Sequence, residues 1–96
     1  MSEDSIAIEV RIPGLLRDCT DGHGRVVVQA TTLEGAVEAL LAAYPRLRIH
    51  LYDEQGELRR HILLFYNQTN FKELDDTTIP LRAGDRLNVV QAVSGG

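Results

Sequence analysis

The residues with the clearest chemical potential in this 96-residue sequence are its last four, Val93-Ser94-Gly95-Gly96. The two glycines have no Cβ, so they cost conformational entropy to order and add no packing to a fold. An unbranched, uncharged segment that ends in a carboxylate is suited to enter a narrow channel in another protein. The sequence therefore predicts that residues 93–96 form a flexible tail and that the carboxylate of Gly96 is its reacting group.

A Gly-Gly ending also arises by chance, because small residues are common at termini, or remains from a linker. These alternatives stay open on the tail alone. The functional interpretation gains weight only if the preceding residues form a compact body that displays the tail.

The other candidate residues do not form a recognisable catalytic or metal site. Cys19 and His23 alone are not a zinc site, and neither His50 nor His61 adds the required ligand spacing. The stretch Gly22-His23-Gly24 lacks the Gly-Lys-Ser/Thr that follows in a phosphate-binding loop. A sulfur relay through Cys19 has no partner cysteine. We therefore expect no metal and a carrier or substrate protein rather than an enzyme.

Composition restricts the class of protein. The length fits one small globular domain, and a formal net charge of -4 with dispersed acidic residues argues against a nucleic-acid partner. No apolar run approaches the roughly 18 residues of a membrane span. The single cysteine and the acidic start Met1-Ser2-Glu3-Asp4 favour a cytoplasmic protein without a signal peptide.

The first half of the predicted domain begins with two strands. Apolar and polar residues alternate over Ile6–Ile12, which predicts a half-buried strand, and the β-branched stretch Arg25–Ala30 predicts its hairpin partner. Between them, we expect Leu15 and Leu16 to tuck under the core and residues 17–24 to form a loop.

One helix is predicted after the hairpin. In Thr31-Thr32-Leu33-Glu34 the spacing of a capping box places Thr31 at the N-cap, bonded to the N–H of Glu34, and Pro45 ends the helix near Tyr44. A single apolar stripe, typical of a core-facing helix, comprises Leu33, Ala36, Val37, Leu40, Leu41 and Tyr44.

The second half of the chain returns to strands. Leu47, Ile49 and Leu51 are expected to cover the end of the core within an excursion over residues 46–60. Ile62–Tyr66 is apolar on both faces and predicts a strand, and the final strand is predicted over Leu87–Ala92, with Leu87 and Val89 inward. Between these two strands we expect a turn over residues 67–70, a short strand that starts at Phe71, and a single helical turn at residues 75–77.

This order predicts an α+β fold in which a mixed sheet of four to five strands packs on one main helix. A right-handed crossover would make the first and last strands parallel neighbours at the centre of the sheet. That is the ubiquitin-like β-grasp plan, here assigned to residues 1–92, with residues 93–96 projecting from it.

The chain then shows a set of short motifs in a fixed order. They are Ile12-Pro13 with Leu15-Leu16-Arg17, Tyr44-Pro45-Arg46-Leu47, Leu58-Arg59-Arg60-His61, Tyr66-Asn67-Gln68-Thr69, Pro80-Leu81 with Ala83-Gly84-Asp85, and Val89 to Gly96. On these residues the sequence resembles the MoaD/ThiS family of small sulfur carrier proteins along nearly its whole length, and most of all its longer MoaD-like and CysO-like members. It departs from them at Gln91, where many relatives have proline, and at Asn67-Gln68-Thr69-Asn70, which replaces an Asn-Gly turn.

The resemblance implies a function for the tail. A MoeB/ThiF-like, ubiquitin-activating-type adenylyltransferase would use ATP to adenylate Gly96, and the acyl-adenylate would become a thiocarboxylate. A sulfur-accepting synthase would then receive the sulfur for molybdopterin, cysteine, thiazole, a tRNA base or a secondary metabolite. No cofactor is expected to stay bound to the chain itself. Two alternatives stay open: a ubiquitin-like modifier conjugated to lysines through Gly96, and an interaction module with an inert tail.

A docking surface is also expected. An exposed patch of Leu63 and Phe65 with Val90 would bind the partner while Val93, Ser94 and Gly95 line the approach of Gly96 to its channel. Alternatively, a loop covers this face. Acidic residues beside the tail would help to orient an arginine-rich partner, but the sequence does not assign residues to that surface.

Overall fold

The fold is built on a five-stranded mixed sheet in the order β2-β1-β5-β3-β4, seen in a computed structural model that describes residues 5–92. The strands are β1, Ile6–Arg11; β2, Arg25–Ala30; β3, Ile62–Tyr66; β4, Thr69–Asn70; and β5, Arg86–Gln91. β1 and β5 are parallel neighbours, and the other pairs are antiparallel. The predicted β-grasp plan, with its first and last strands adjacent at the centre, is confirmed.

One face of the sheet is covered by helix α1, Leu33–Ala43. The alternation read from the sequence places Ile8 and Val10 of β1 and Leu87 and Val89 of β5 toward this helix, and each is at most 4% exposed. The predicted apolar stripe of α1 is buried from Leu33 to Leu41. The removal of this surface from water is the main stabilising contribution to the fold, at about 25 cal/mol per Å² of apolar area.

The N-cap of α1 is Thr32 rather than the predicted Thr31. The Thr32 hydroxyl oxygen accepts a hydrogen bond from the N–H of Gly35 at 3.1 Å. Thr31 cannot cap Glu34, because the N–H of Glu34 donates instead to the carbonyl of Thr77 at 2.8 Å. The carbonyl of Thr77, in the segment before β5, therefore accepts one of the free N–H groups at the start of α1, and the spacing of residues 31–34 could not predict this contact.

Residues 75–77 do not form the predicted helical turn. Asp76 instead accepts hydrogen bonds from the backbone N–H of Thr78 at 2.8 Å and from its hydroxyl at 2.5 Å. After this turn the carbonyl of Ile79 accepts a hydrogen bond from the N–H of Leu33 at 3.0 Å, and Pro80 forms an isolated β-bridge with Thr32. The carbonyls of Thr77 and Ile79 accept hydrogen bonds from the first turn of α1, and this explains why residues 75–77 do not form a helical turn of their own.

The connections at one end of the sheet are more helical than predicted. A 3-10 helix spans Gly14–Thr20 and overlaps the first part of the loop predicted over residues 17–24, and helix α2 spans Leu47–Leu51. Leu16 is buried as expected, but Leu15 is 69% exposed, and Ile49 is 67% exposed. Both predictions of burial are wrong for the same reason, since each residue lies on the outer side of a short helix whose other side already fills the core.

The predicted short strand also starts earlier than Phe71. β4 pairs Thr69 and Asn70 with the end of β3, and Phe71–Glu73 form a 3-10 turn. In residues 5–92 no helix has the length and apolar character needed to cross a membrane.

Candidate functional site

The central strand β5 carries the chain toward its terminus. β5 is hydrogen-bonded to β1 on one side and to β3 on the other. The N–H of Ala92, the last described residue, donates to the carbonyl of His61 at 2.7 Å. The predicted reacting residue Gly96 and its neighbours Val93, Ser94 and Gly95 lie outside the described residues. The fold fixes the point from which these residues continue, because β5 is paired on both sides and Ala92 is hydrogen-bonded to His61.

A cluster of hydrogen bonds around Asp85 holds the other end of β5. One oxygen of the Asp85 carboxylate accepts from the Tyr66 hydroxyl at 2.5 Å and from the Arg82 N–H at 2.8 Å, and the other accepts from the Asn67 side chain at 3.2 Å. We call Tyr66, Asn67 and Asp85 the β5 latch. It ties the end of β3 to the turn that precedes β5.

Asn67 adds backbone contacts that fix the register. Its N–H donates to the carbonyl of Arg86, and its side-chain oxygen accepts from the N–H of Arg86, both at 2.9 Å. Asn67 has a φ of 57°, a left-handed conformation that asparagine tolerates better than most residues. This explains how the chain turns at Asn67-Gln68 without a glycine.

The β5 latch also shifts two pKa values. Burial, followed by the hydrogen bond to Asp85 and the charge of that carboxylate, raises the pKa of Tyr66 to about 12. Burial opposes ionisation of Asp85, but hydrogen bonds from Tyr66, Arg82 and Asn67 outweigh it and lower the pKa of this carboxyl. Both shifts favour a neutral phenol that donates to a charged carboxylate.

The predicted docking residues lie together on the outer face of the sheet. Leu63 of β3 stands opposite Val90 of β5, and Phe65 stands opposite Asn88. Val90 is 37% exposed, and Leu63 and Phe65 are half-buried, whereas Ile62 and Leu64 point inward and are buried. We call Leu63, Phe65 and Val90 the sheet patch. It adjoins the final residues of β5.

Basic residues border the sheet patch. Arg11 of β1 is paired with Asn88 of β5 and, on its other side, with Arg25 of β2. Glu9 lies 3.7 Å from Arg11 and 3.8 Å from Arg25, so one carboxylate serves two guanidinium groups. This border of the sheet patch therefore combines two arginines with the carboxylate of Glu9, and the expected acidic surroundings of the tail stay a prediction.

Two further features lie elsewhere. Cys19 is a free thiol buried in the core, with an exposed fraction of 8%. A groove of about 450 Å³ separates α1 from the following loops and is lined by apolar side chains that include Val37, Leu41, Leu58 and Phe71. It lies on the helix side of the sheet, away from the sheet patch. No group of three potential metal ligands occurs within residues 5–92.

Comparison with known proteins places these features in a family. The model of the ThiS family matches residues 10–96. The sulfur carrier protein CysO of Mycobacterium tuberculosis H37Rv is 28% identical over 91 residues, which cover 93% of this chain and 98% of CysO.

Solved structures agree with this match. A chain of the BexX/CysO complex of Amycolatopsis orientalis superposes with a TM-score of 0.77 at 25% identity, covering 93% of this chain and 99% of that one. SAMP1 of Haloferax volcanii superposes with a TM-score of 0.75 at 28% identity, covering 94% of this chain and 99% of SAMP1. The β-grasp fold is thus shared with CysO and with SAMP1.

Proposed function

The chain belongs to the ThiS family of sulfur carrier proteins, and we propose that it carries sulfur as a thiocarboxylate on the terminal carbon of Gly96. The observation that carries this proposal is the position of β5, which is held between two strands and is followed, after Ala92, by Val93-Ser94-Gly95-Gly96. A strand fixed on both sides provides a rigid base for a tail that must enter a partner. The chain acts as carrier and substrate rather than as an enzyme.

The proposed chemistry takes place in the active site of a partner. An oxygen of the Gly96 carboxylate attacks the α-phosphorus of ATP, and pyrophosphate leaves. A sulfur nucleophile then adds to the carbonyl carbon of the acyl-adenylate, and AMP leaves with the electron pair of the broken C–O bond. A carboxylate is a poor electrophile because its charge is delocalised, so adenylation is the step that makes sulfur addition possible.

The partners follow from these two steps. A MoeB/ThiF-like adenylyltransferase binds and consumes ATP, so the chain needs no resident cofactor, and a synthase accepts the sulfur. The sheet patch of Leu63, Phe65 and Val90 is the proposed docking surface, with Val93, Ser94 and Gly95 lining the channel. The BexX/CysO complex supports an assembly of this general kind, because a relative with the same fold forms one. Reduced Cys19 is consistent with a cytoplasmic site of action.

Intact-mass measurement tests the proposal. The purified chain is incubated with the adenylyltransferase of its own organism, ATP and then sulfide. We expect a mass increase that corresponds first to an acyl-adenylate and then to the exchange of one oxygen for sulfur. Gly96→Ala should slow adenylation by about 10²-fold, because its side chain displaces the carboxylate from the α-phosphorus. An unmodified wild-type chain, or full activity after deletion of Gly95 and Gly96, would refute the proposal.

A second function is favoured by one specific comparison. SAMP1 is a small archaeal modifier protein, and its likeness to this chain supports conjugation of Gly96 to lysines of target proteins as the alternative. Both functions begin with adenylation. Protein isolated from native cells separates them: a thiocarboxylate supports the carrier, whereas conjugates joined through Gly96 support the modifier.

A further inference from the structure

Three segments meet at the end of the sheet from which the chain leaves β5. β1 and β5 are parallel, so the 3-10 helix after β1 lies at the same end as Ala92. The carbonyl of His61 accepts a hydrogen bond from the N–H of Ala92. The N–H of Arg59, two residues before His61, donates to the carbonyl of Leu51 in α2 at 2.9 Å. α2 in turn contacts the 3-10 helix. Gly14–Thr20, residues 46–51 and residues 59–61 therefore lie at the end of the sheet where the tail begins, and His61 contacts Ala92 directly.

The charge of these segments is opposite to that of the chain. They contain five arginines and one aspartate, whereas the formal net charge of the whole chain is -4. The Arg46 guanidinium donates to the carbonyl of Asp18, and Nε of Arg59 donates to the carbonyl of Ile49 at 2.9 Å. Carbonyl acceptors orient a guanidinium group without neutralising its charge.

Carboxylates do not neutralise these arginines within residues 5–92. Both ion pairs in that range belong to Glu9, with Arg11 and Arg25 as partners. Arg60, between Arg59 and His61, is exposed. Five arginines against one aspartate give these segments a formal charge of +4, while the turn between α2 and Arg59 adds the carboxylates of Asp53, Glu54 and Glu57. The arginines unpaired within the described range, Arg60 among them, therefore present positive charge to solvent at this end of the molecule.

Two large aliphatic side chains in the same segments as these arginines are exposed. Leu15 is 69% exposed on the 3-10 helix, and Ile49 is 67% exposed on α2. The carbonyl of Ile49 itself accepts the hydrogen bond from Arg59. We call Leu15, Arg46, Ile49, Arg59 and Arg60 the exit rim. It combines apolar contact area with arginine, a composition enriched at protein interfaces.

We infer that the exit rim is a second docking surface, distinct from the sheet patch, and that it binds an acidic surface with an apolar centre at the channel entrance of the activating enzyme. The inference depends on the proposed function, because the tail enters that channel from within the rim. Exposed aliphatic residues favour a protein partner over nucleic acid, since a phosphate backbone offers them no apolar contact. Complementary charge would steer the encounter so that the tail arrives first.

A pair of charge reversals tests the rim. Arg60→Glu and Lys72→Glu each change the formal net charge from -4 to -6. Lys72 follows β4 and lies at the opposite end of β3 from His61. The side chains of Arg60 and Lys72 are both exposed. The assay measures kcat/KM for adenylation of the chain by the adenylyltransferase of its own organism, at low and high salt.

We expect Arg60→Glu to lower kcat/KM about threefold to tenfold and Lys72→Glu to change it less than about twofold, because only the former opposes steering at the rim. The difference should shrink in about 1 M salt, where the Debye length is about 3 Å. Circular dichroism should show the same fold for all three proteins.

The outcomes separate the two proposals. Equal kcat/KM values for Arg60→Glu and Lys72→Glu would overturn the exit rim while leaving adenylation of Gly96 intact. A wild-type chain that is not adenylated would overturn the proposed function and the rim with it. Fluorescence anisotropy with a single-stranded RNA oligonucleotide adds a third outcome: tight binding that only Arg60→Glu abolishes, without an effect on adenylation, would assign the rim to nucleic acid and refute the inference.

Discussion

Replacement of Asp85 by asparagine should destabilise the domain by breaking the β5 latch. The carboxylate accepts three hydrogen bonds, from Tyr66, Arg82 and Asn67. An amide can keep the two that share one oxygen, but its NH₂ group then faces the NH₂ group of Asn67. Asn67 cannot rotate to correct this, because its oxygen already accepts the N–H of Arg86. One hydrogen bond is lost and the other two lose their charged acceptor.

The expected cost of Asp85→Asn is about 1–2 kcal/mol, since hydrogen bonds to charged groups contribute about 1.5–3 kcal/mol and neutral ones about 0.5–1.5 kcal/mol. The lower part of that range applies because Asp85 is only half-buried. For a domain of this size, about 1.5 kcal/mol lowers Tm by about 6–12 °C. Tyr66→Phe removes one bond and should cost about 1 kcal/mol.

The pH dependence gives a sharper test. The pKa of Asp85 is lower in the folded chain than its ordinary value of 3.8. Its stabilising contribution is therefore present above pH 3.8 and is lost as the pH falls through the folded pKa. The pKa of Tyr66 is raised from 10.0 to about 12, so its contribution is present below pH 10 and is lost between pH 10 and about pH 12.

Urea unfolding of the wild type, Asp85→Asn, Tyr66→Phe and the double variant measures these effects between pH 2.5 and 8. The wild type should exceed Asp85→Asn in stability above about pH 4, and the two should converge in acid. The double variant should cost less than the sum of the single variants, because Tyr66 and Asp85 share a bond. Equal unfolding midpoints at neutral pH, or a constant difference down to pH 2.5, would show that the latch carries no charge-dependent stability.

The remaining predictions concern the tail, the patch and the core. Gly95→Ala should reduce adenylation about tenfold or more while Tm stays unchanged, as kinetics and calorimetry can establish. Val90→Asp should weaken binding to the adenylyltransferase about tenfold or more in a titration, and unchanged affinity would remove the sheet patch from the docking surface. Thr32→Ala should cost about 1 kcal/mol in urea unfolding, whereas Thr31→Ala should be near neutral; the reverse order would restore Thr31 as the cap. Cys19→Ala should lower stability by about 1 kcal/mol and leave sulfur transfer unchanged, and loss of transfer would indicate a relay through this thiol.

The sequence predicted burial correctly where the repeat of a strand or of a helix decides which side chains face the core. The alternation through Ile8 and Val10 and the stripe from Leu33 to Leu41 predicted the two layers of the core, because burial repeats with the geometry of each element. The paired strands β3 and β5 also placed Leu63 beside Val90, which a list of apolar residues could not do without the register. The fold and the position of the docking candidates were therefore largely predictable.

The errors fall where tertiary partners decide local structure. Thr31 and Thr32 are equivalent in a capping pattern until the carbonyl of Thr77 takes the N–H of Glu34. Leu15 and Ile49 lie in helices too short to show a period, so an apolar residue type was taken to mean burial. The signal for the exit rim in the sequence was the arginine at the start of the excursion, Arg46, and the pair at its end, Arg59-Arg60.

The total charge of the chain explains why this rim is not evident from composition. A net charge of -4 is a sum over the whole molecule, but screening limits each interaction to a Debye length of about 8 Å at physiological salt. Acidic residues such as Glu73, Asp75 and Asp76 follow β4, at the far end of β3 from the origin of the tail. A partner near Ala92 therefore meets the rim arginines while these carboxylates are screened. An acidic protein can thus present a basic end, and the direction of that charge separation would turn the tail toward an acidic partner.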